Sequence, residues 1–332
     1  MYNFVTFIKF ITKNILYELS RHKYTTIIKN ADNFIVDGFK PNRFAKSPLM
    51  QNIIHKYYAP KISYDRHIIK FSDNCNCCLD FVYSKSSEPK GILFCVPGFS
   101  GTSDSPYCKY ISKHFSEDYI IIIYNKRGHV KRSFSNIVPT HYDENDLNTV
   151  LEYIQFISKM NNSLPIYGVS FSGGSNVLTK YAGISGDKCI FKKIMACGNG
   201  WEYDHATQNV KEPFMEYVLC QFGEEILENV LNGMHYSGHS RFRDQEASIH
   251  HTNDLSSYYK RISAIYDVQN ITVPCLCLDS IDDPLYAYPH IEELAEKNKN
   301  ITFIYTSHGG HVCWVGQNSL YYIQLLKKWL NG

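Results

Sequence analysis

Short apolar runs alternate with stretches of helical periodicity from about residue 60 onwards. The runs end in Gly, Pro or polar residues, which is typical of buried strands that lead into loops. They lie at 91–101, 118–128, 164–171, 273–280 and 301–307. Between them, one segment has apolar residues at helical spacing: Leu147, Val150, Leu151, Ile154 and Ile157. Strands that alternate with helices are typical of parallel sheets, so the pattern predicts an α/β fold with a mostly parallel sheet covered on both faces.

Two regions depart from this alternation. Residues 198–262 are rich in His, Tyr, Asn and Glu and contain helical pieces, which predicts a helical cap inserted over the sheet. Residues 1–58 precede the alternation, and we expect a helical, amphipathic extension there. The prediction is therefore one α/β domain over 59–332, with its cap at about 198–262.

The first 20 residues have apolar side chains at helical spacing, interrupted by Lys9 and Lys13. The uninterrupted apolar run is too short to span a bilayer. Two interpretations remain: peripheral contact with a membrane surface through residues 1–20, or packing of this helix on the body of the protein.

Composition narrows the class of protein. The chain has 332 residues, a formal net charge of +2 and no long run of Lys and Arg, so nothing predicts a nucleic-acid partner. Its 11 cysteines lack the spacing of a disulfide scaffold, which favours an intracellular location, on the cytoplasmic side if the chain contacts a membrane. The sequence CNCC at 75–78 has no second Cys/His pair to complete a tetrahedral site, so we predict no metal.

Three loops that follow predicted strands carry reactive groups. The segment 167–181 (YGVSFSGGSNVLTKY) has serines in a Gly-rich turn, 279–286 (DSIDDPLY) has acids, and 307–314 (SHGGHVCW) has histidines. The carboxyl ends of parallel strands meet at one edge of a sheet, where sites form. A serine nucleophile needs a base such as histidine, and a buried carboxylate holds the imidazole. The order Ser…Asp…His is that of α/β hydrolases.

The residues alone leave alternatives within each loop. Ser170 has Gly168 and Ser172 as small flanks, whereas Ser172 has Ser170 and Gly174. Each serine therefore departs from G-x-S-x-G by one Gly-to-Ser change. The candidate acids are Asp279, Asp282 and Asp283, and the candidate bases are His308 and His311.

Longer motifs resemble those of one family across roughly residues 60–330. VPGFSGTSDSPYCKYI is similar to its P-G-L-x-G-x-S-x-S-x-Y, YNKRG to its N-x-R-G, HYDENDLNTVLEYI to its acidic stretch before a helix, and HGGHVCWV to its H-G-G-H-x-x-F/W. YYKRISAIYDVQNITVPCLCLDSIDDPL is similar to its Y-Y-x-x-x-S…I-x-V-P-x-L-x-L-x-x-x-D-D-P. The chain resembles the α/β-hydrolase-domain lipases and esterases of the AB hydrolase superfamily, subfamily four, the YheT-like group. The resemblance implies the α/β-hydrolase fold.

The resemblance also distinguishes the two serines. The family's usual elbow, Y-G-V-G-F-S-L-G-G-N-V-L-L-K-Y, aligns without gaps to 167–181 and puts the nucleophile on Ser172. Ser170 then replaces the first motif glycine, and Ser175 replaces the second glycine of the pair. An alignment on Ser170, the alternative nucleophile, needs a two-residue insertion.

The other site residues are implied by the same resemblance. The family's D-D-P pattern puts the acid on Asp283, and its H-G-G-H motif ends on the base, His311. The backbone N–H groups of Phe99 and Gly173 would form the oxyanion hole.

These expectations predict a serine hydrolase that cleaves carboxylic esters of lipids, as an acylglycerol or phospholipid lipase or esterase, through an acyl-enzyme and without a cofactor. Apolar and aromatic cap residues would shelter the acyl chain: Phe214, Met215, Tyr217 and Leu219. Two alternatives keep the fold. One is an acyltransferase that uses an alcohol acceptor, and the other is a non-catalytic binding protein.

Overall fold

The computed structural model describes residues 2–20, 22–31, 34, 36–129, 141–210, 213–231, 241–250, 253–286 and 290–332. Within these ranges one sheet is formed by strands β1 (Thr26–Lys29), β2 (Asp65–Lys70), β3 (Asn76–Val82), β4 (Gly91–Val96), β5 (Tyr119–Asn125), β6 (Ile166–Phe171), β7 (Phe191–Cys197), β8 (Cys275–Ser280) and β9 (Ile301–Thr306).

The helices of the same ranges, apart from three short 3-10 turns, are α1 (Tyr2–Leu19), α2 (Pro48–Tyr57), α3 (Pro106–Phe115), α4 (Glu144–Met160), α5 (Gly173–Ser185), α6 (Tyr203–Gln208), α7 (Pro213–Leu231), α8 (Phe242–Ile249), α9 (Leu255–Ile262), α10 (Ile291–Lys297) and α11 (Tyr321–Asn331). No helix of the described chain is both long enough and apolar enough to cross a membrane.

The strand order is β1-β9-β8-β7-β6-β4-β5-β3-β2. The central strands β4 to β9 pair in parallel, whereas β1, β2 and β3 join their neighbours antiparallel. The predicted fold class, a mostly parallel sheet in an α/β-hydrolase fold, is confirmed.

Side chains of the central strands point alternately to the two faces of the sheet, and each face is covered by a buried apolar cluster. In β4, Ile92 and Phe94 are buried in one cluster with side chains of α4 and α5. Leu93 and Cys95 are buried in the other cluster, with side chains of α3 and α11. Because successive side chains of a strand point to opposite faces, a run of apolar residues without polar interruptions suits a strand covered on both sides.

The N-terminal segment is tied to this core at two places. Strand β1 pairs with β9, with Thr26 opposite Thr306. Helix α1 packs on α7 and α2, and the ring centroid of Phe10 lies 5.4 Å from that of Phe214. The division at residue 58 stays a prediction, but the sheet itself includes residues from both sides of it.

Helices α6 to α9 occupy the predicted cap region and lie at the carboxyl ends of the central strands. Residues 211–212, 232–240 and 251–252 of that region lie outside the described residues. Side chains of α6, α7 and α8 line a cavity together with Ser172 and His311, so these helices lie beside the loops that carry the candidate reactive groups.

Candidate active site

A strained elbow connects β6 to α5. Ser172 has φ +53° and ψ −126°, and α5 begins at the next residue. Positive φ is unfavourable for a residue with a Cβ, and such strain concentrates at functional sites. Gly174 allows the close approach that the elbow needs, because a Cβ there would lie 2.2 Å from the carbonyl oxygen of Val96. The backbone N–H of Ser172 donates to Cys197 O at 2.7 Å.

Three predicted side chains form one hydrogen-bonded row. Ser172 Oγ lies 2.8 Å from His311 Nε2. His311 Nδ1 lies 2.7 Å from Asp283 Oδ2. The other carboxylate oxygen of Asp283 accepts the backbone N–H groups of Leu285 at 2.8 Å and Tyr286 at 3.2 Å. The loop after β8 thereby orients the carboxylate towards the imidazole.

The pKa of His311 depends on its burial and on the carboxylates nearby. Burial lowers the pKa of His311, but the charge and hydrogen bond of Asp283, with a smaller contribution from Asp279, more than offset this effect. The pKa of His311 therefore lies above its ordinary value. An imidazole held by a buried carboxylate is a stronger base than a free one.

The loop after β9 holds the imidazole in place. Ser280 Oγ donates to Gly310 O at 2.7 Å, and Asp282 Oδ1 accepts Gly310 N–H at 2.9 Å. Val312, directly after His311, has φ +56°, an unusual backbone conformation for a β-branched residue. Asp282 thus anchors the histidine loop, while Asp283 contacts the imidazole.

Ser170 lies within β6, away from the imidazole row. Its side chain is fully buried, and its Oγ donates to Met195 O at 3.2 Å. Its Cα lies opposite Val96 on one side and Ala196 on the other. The small hydroxyl is accommodated where the family motif has glycine because a neighbouring strand supplies an acceptor.

The remaining alternatives also lie outside the row. Asp279 is buried, and its Oδ1 accepts Asn199 N–H at 2.8 Å. Burial raises the pKa of Asp279 to about 7. His308 Nδ1 lies 2.8 Å from Ser307 Oγ, and burial lowers the pKa of His308 to about 4. His308 contacts the ring of Tyr24, so it packs against the N-terminal segment.

The predicted oxyanion donors lie close to the nucleophile. A Cβ placed on Gly173 would lie 3.3 Å from the backbone nitrogen of Phe99. A Cβ placed on Gly98 would lie 3.0 Å from Ser172 Cβ and 3.5 Å from Ser172 Oγ. The loop after β4 and the first turn of α5 therefore meet beside the hydroxyl of Ser172.

A cavity of about 100 Å³ opens at Ser172 and His311. Most of its lining is aromatic or apolar: Phe99, Tyr203, Ala206, Val210, Leu219, Phe242 and Leu285. Of the four cap residues predicted to shelter an acyl chain, Leu219 lines this cavity, whereas Phe214 contacts Phe7 and Phe10 of α1.

His141, which lines the cavity, forms a polar pair with Glu246 that the sequence did not predict. His141 Nε2 lies 2.9 Å from Glu246 Oε2, and both side chains are 6% exposed. The pair joins the segment that precedes α4 to helix α8. The two residues are 105 positions apart, so no local spacing rule could connect them.

Comparison with known proteins identifies relatives by sequence, although no family model matches the chain. Phospholipase ABHD3 from Bos taurus is 23% identical over 287 residues, which cover 76% of this chain and 67% of the relative. Monoacylglycerol lipase ABHD2 from Danio rerio is 24% identical and covers 69% of this chain and 59% of the relative. The medium-chain fatty acid ethyl ester synthase/esterase 2 of Saccharomyces cerevisiae is 22% identical, with 69% of this chain and 59% of the relative covered.

Solved structures share the fold. Est1E from Butyrivibrio proteoclasticus superimposes with a TM-score of 0.51 at 14% identity, covering 80% of this chain and 95% of Est1E. The Pyrococcus furiosus esterase Pf2001 gives a TM-score of 0.53 at 13% identity, covering 81% of this chain and 91% of the esterase. The chain thus has the α/β-hydrolase fold, and its relatives by sequence are α/β-hydrolase-domain lipases and esterases at 22–24% identity.

Proposed function

We propose that this lipid ester hydrolase uses Ser172 as nucleophile, His311 as general base and Asp283 as the carboxylate that holds the imidazole. The observation that carries the proposal is the unbroken row from Ser172 Oγ through His311 to Asp283, with distances of 2.8 and 2.7 Å. It supports a serine mechanism because a hydroxyl nucleophile needs an adjacent base.

Acylation starts when Ser172 Oγ attacks the ester carbonyl carbon and its proton passes to His311 Nε2. Asp283 stabilises the imidazolium that forms. The carbonyl oxygen becomes an oxyanion, which accepts hydrogen bonds from the backbone N–H groups of Phe99 and Gly173. His311 then gives the proton to the leaving alkoxide oxygen, the carbon–oxygen bond breaks, and an alcohol or lysolipid departs.

Deacylation repeats these steps with water. The water oxygen attacks the acyl carbon while His311 takes a proton from the water. The second tetrahedral intermediate collapses, Ser172 Oγ recovers the proton from His311, and the free acid leaves. An alcohol that replaced water in this step would give acyl transfer from the same acyl-enzyme.

The chemistry of the cavity favours an apolar acyl group. Aromatic and aliphatic side chains surround Ser172, and the named relatives include a phospholipase and a monoacylglycerol lipase. Burial of an acyl chain against such a surface contributes about 0.8 kcal/mol per methylene. We therefore assign acylglycerols or phospholipids as the substrate class.

Helix α1 supports delivery of the protein to a lipid surface. Seven of its apolar side chains are exposed: Phe4, Val5, Phe7, Ile8, Ile15, Leu16 and Leu19. At about 100° per residue all of them except Phe7 fall within one arc of about 120°, with Lys9 and Lys13 beside it. The opposite face, which includes Phe10 and Asn14, is buried against the protein. An apolar face bordered by lysines suits an anionic membrane interface.

A fluorophosphonate probe tests the proposed mechanism, because it reacts only with an activated serine. We expect labelling of the folded protein at Ser172, and release of fatty acid from a panel of monoacylglycerols and phosphatidylcholines. Absence of both reactions in folded protein would instead favour a non-catalytic binding role. Fatty acid esters formed when an alcohol is added would indicate acyl transfer.

A further inference from the structure

Lys126 contacts the loop after β4, which carries one proposed oxyanion donor, the N–H of Phe99. It follows β5 directly, and its side chain is half-buried. Its Nζ donates to Gly98 O at 3.1 Å and to Pro97 O at 3.3 Å. These carbonyls belong to the turn between β4 and Phe99, so the amine contacts the backbone of the proposed oxyanion hole.

Peptide geometry connects this contact to Phe99. The carbonyl of Gly98 and the N–H of Phe99 belong to one peptide group, and the described chain has no cis peptide bond. In a trans peptide the C=O and N–H point in opposite directions. A cation at the oxygen therefore directs the N–H away from itself and makes it a stronger donor, because hydrogen bonds in a chain polarise one another.

Other contacts hold the same loop without supplying a charge. Gly98 N–H donates to Tyr107 Oη at 3.1 Å, and Gly101 N–H donates to Gly98 O at 3.1 Å. Ser103 N–H donates to Asn125 Oδ1 at 2.8 Å. Among the described residues that hydrogen-bond to this loop, Lys126 thus supplies a positive charge, whereas Tyr107 and Asn125 are neutral.

We infer that Lys126 is a positioning residue for the oxyanion hole: its ammonium group holds Gly98 O and so orients and polarises the N–H of Phe99 towards the developing oxyanion. This inference rests on the proposed function. Its basis is the direct contact of the amine with the peptide group whose other end is the proposed donor.

The surroundings of Lys126 determine when it carries its charge. A cavity of about 30 Å³ beside it is lined by these titratable groups: Tyr124, Arg127, His129, His141, Asp143 and Asp146. Arg127 already pairs with Asp146 at 2.7 Å, and within the described chain no carboxylate forms an ion pair with Lys126. Burial lowers the pKa of Lys126 to about 8, and burial together with Lys126 lowers that of His129 to about 3.

The pH dependence of catalysis follows from these directions. Catalysis needs neutral His311, so kcat/KM rises as pH increases through the pKa of that residue. Deprotonation of Lys126 removes the polarising charge, so kcat/KM falls again above about pH 8. The inference therefore predicts a bell-shaped profile whose alkaline limb belongs to Lys126.

Two substitutions at this position separate charge from structure. Lys126→Arg keeps a cation whose pKa is above about 12, so we expect near-normal kcat at pH 7 and no alkaline limb near pH 8. Lys126→Met removes the cation, and we expect kcat to fall about 10-fold with KM little changed, because one oxyanion donor is weakened rather than lost. Thermal unfolding and fluorophosphonate labelling report whether each variant is folded.

Lys193→Met is the matched control. Lys193 is also half-buried and donates to a backbone carbonyl, Trp329 O at 2.9 Å, but it lies outside the site. This variant should keep the wild-type profile.

An unchanged alkaline limb in folded Lys126→Arg, or unchanged kcat in folded Lys126→Met, would overturn the inference and leave the proposed function intact. If neither variant folds, the wild-type profile decides, and a flat alkaline side overturns the inference. A folded wild-type protein without labelling or hydrolysis would overturn the proposed function, and this inference with it.

Discussion

His311 Nε2 lies 2.8 Å from Ser172 Oγ, although 139 residues separate them along the chain. The two residues belong to different loops, one after β6 and one after β9. Their contact is possible because the parallel strands deliver both loops to the same edge of the sheet. The strained backbone at Ser172 and Val312 shows that both loops are held in place by their surroundings.

The two serines of the elbow should respond differently to substitution. Ser172→Ala removes the proposed nucleophile, so we expect kcat for ester hydrolysis to fall roughly 10⁴- to 10⁶-fold with folding preserved. Ser170→Ala loses a bond to Met195 O and should keep activity within a few-fold. Fatty acid release and thermal unfolding measure the two effects. Activity retained by Ser172→Ala would rule out this assignment.

The acid limb of the pH profile should report the His311–Asp283 pair. Asp283 raises the pKa of His311, so kcat/KM should increase through a pKa above that of a free histidine. Asp283→Asn removes the charge, and we expect kcat to fall about 10⁴-fold and the limb to move to lower pH. Asp282→Asn is the control, since Asp282 contacts the loop backbone instead. A limb that moves equally in both variants would contradict the assignment.

Stability should decrease as pH rises towards neutrality because of Asp279. The pKa of this carboxyl is raised by burial from 3.8 to about 7 in the folded protein. Between about pH 4 and pH 7 the unfolded protein loses this proton while the folded protein keeps it. The free energy of unfolding therefore decreases over this range, by up to about 4 kcal/mol.

Asp279→Asn keeps an acceptor for Asn199 N–H and removes this titration. The free energy of unfolding is measured with denaturant at pH 4 and pH 8. It should change less between these pH values in the Asp279→Asn variant than in the wild type. Equal pH dependence in the two proteins would exclude Asp279 as the cause.

Membrane binding should depend on the exposed face of α1. The double substitution Ile8→Glu with Leu16→Glu puts charges into that face, so affinity for anionic phospholipid vesicles should fall at least about 10-fold. Ile68→Glu, at a side chain that is 66% exposed on β2, is the matched control. Vesicle sedimentation measures binding. Equal binding of the double variant and the control would contradict a role of α1.

Local pattern predicted the elements whose signals are long and regular. The runs at 118–128 and 164–171 became β5 and β6, and the helical period at 146–157 lies within α4. The CNCC stretch lies at β3, where Cys75 and Cys77 are buried in the core. The two apolar runs and the helical period are local signals, which the sequence displays directly.

Contacts between distant segments were less accessible from sequence. Strand β1 has only four residues, too few to establish a period, and it is a strand because β9 lies beside it. The His141–Glu246 pair and the contact of Lys126 with Gly98 depend on how the cap and the loops meet. Motif alignment indicated which serine to favour, but the acceptor that accommodates Ser170 is visible only in the structure.

The pairing of β1 with β9 has a consequence for any shortened form of the protein. A chain that began at residue 59 would leave one side of β9 without its partner, exposing the backbone N–H and C=O groups of Ile301–Thr306 to solvent. Unpaired strand edges recruit other chains. The residues that precede the predicted α/β domain thus replace a six-residue edge strand, β9, by a four-residue one, β1, and short edge strands are less prone to pair with other chains.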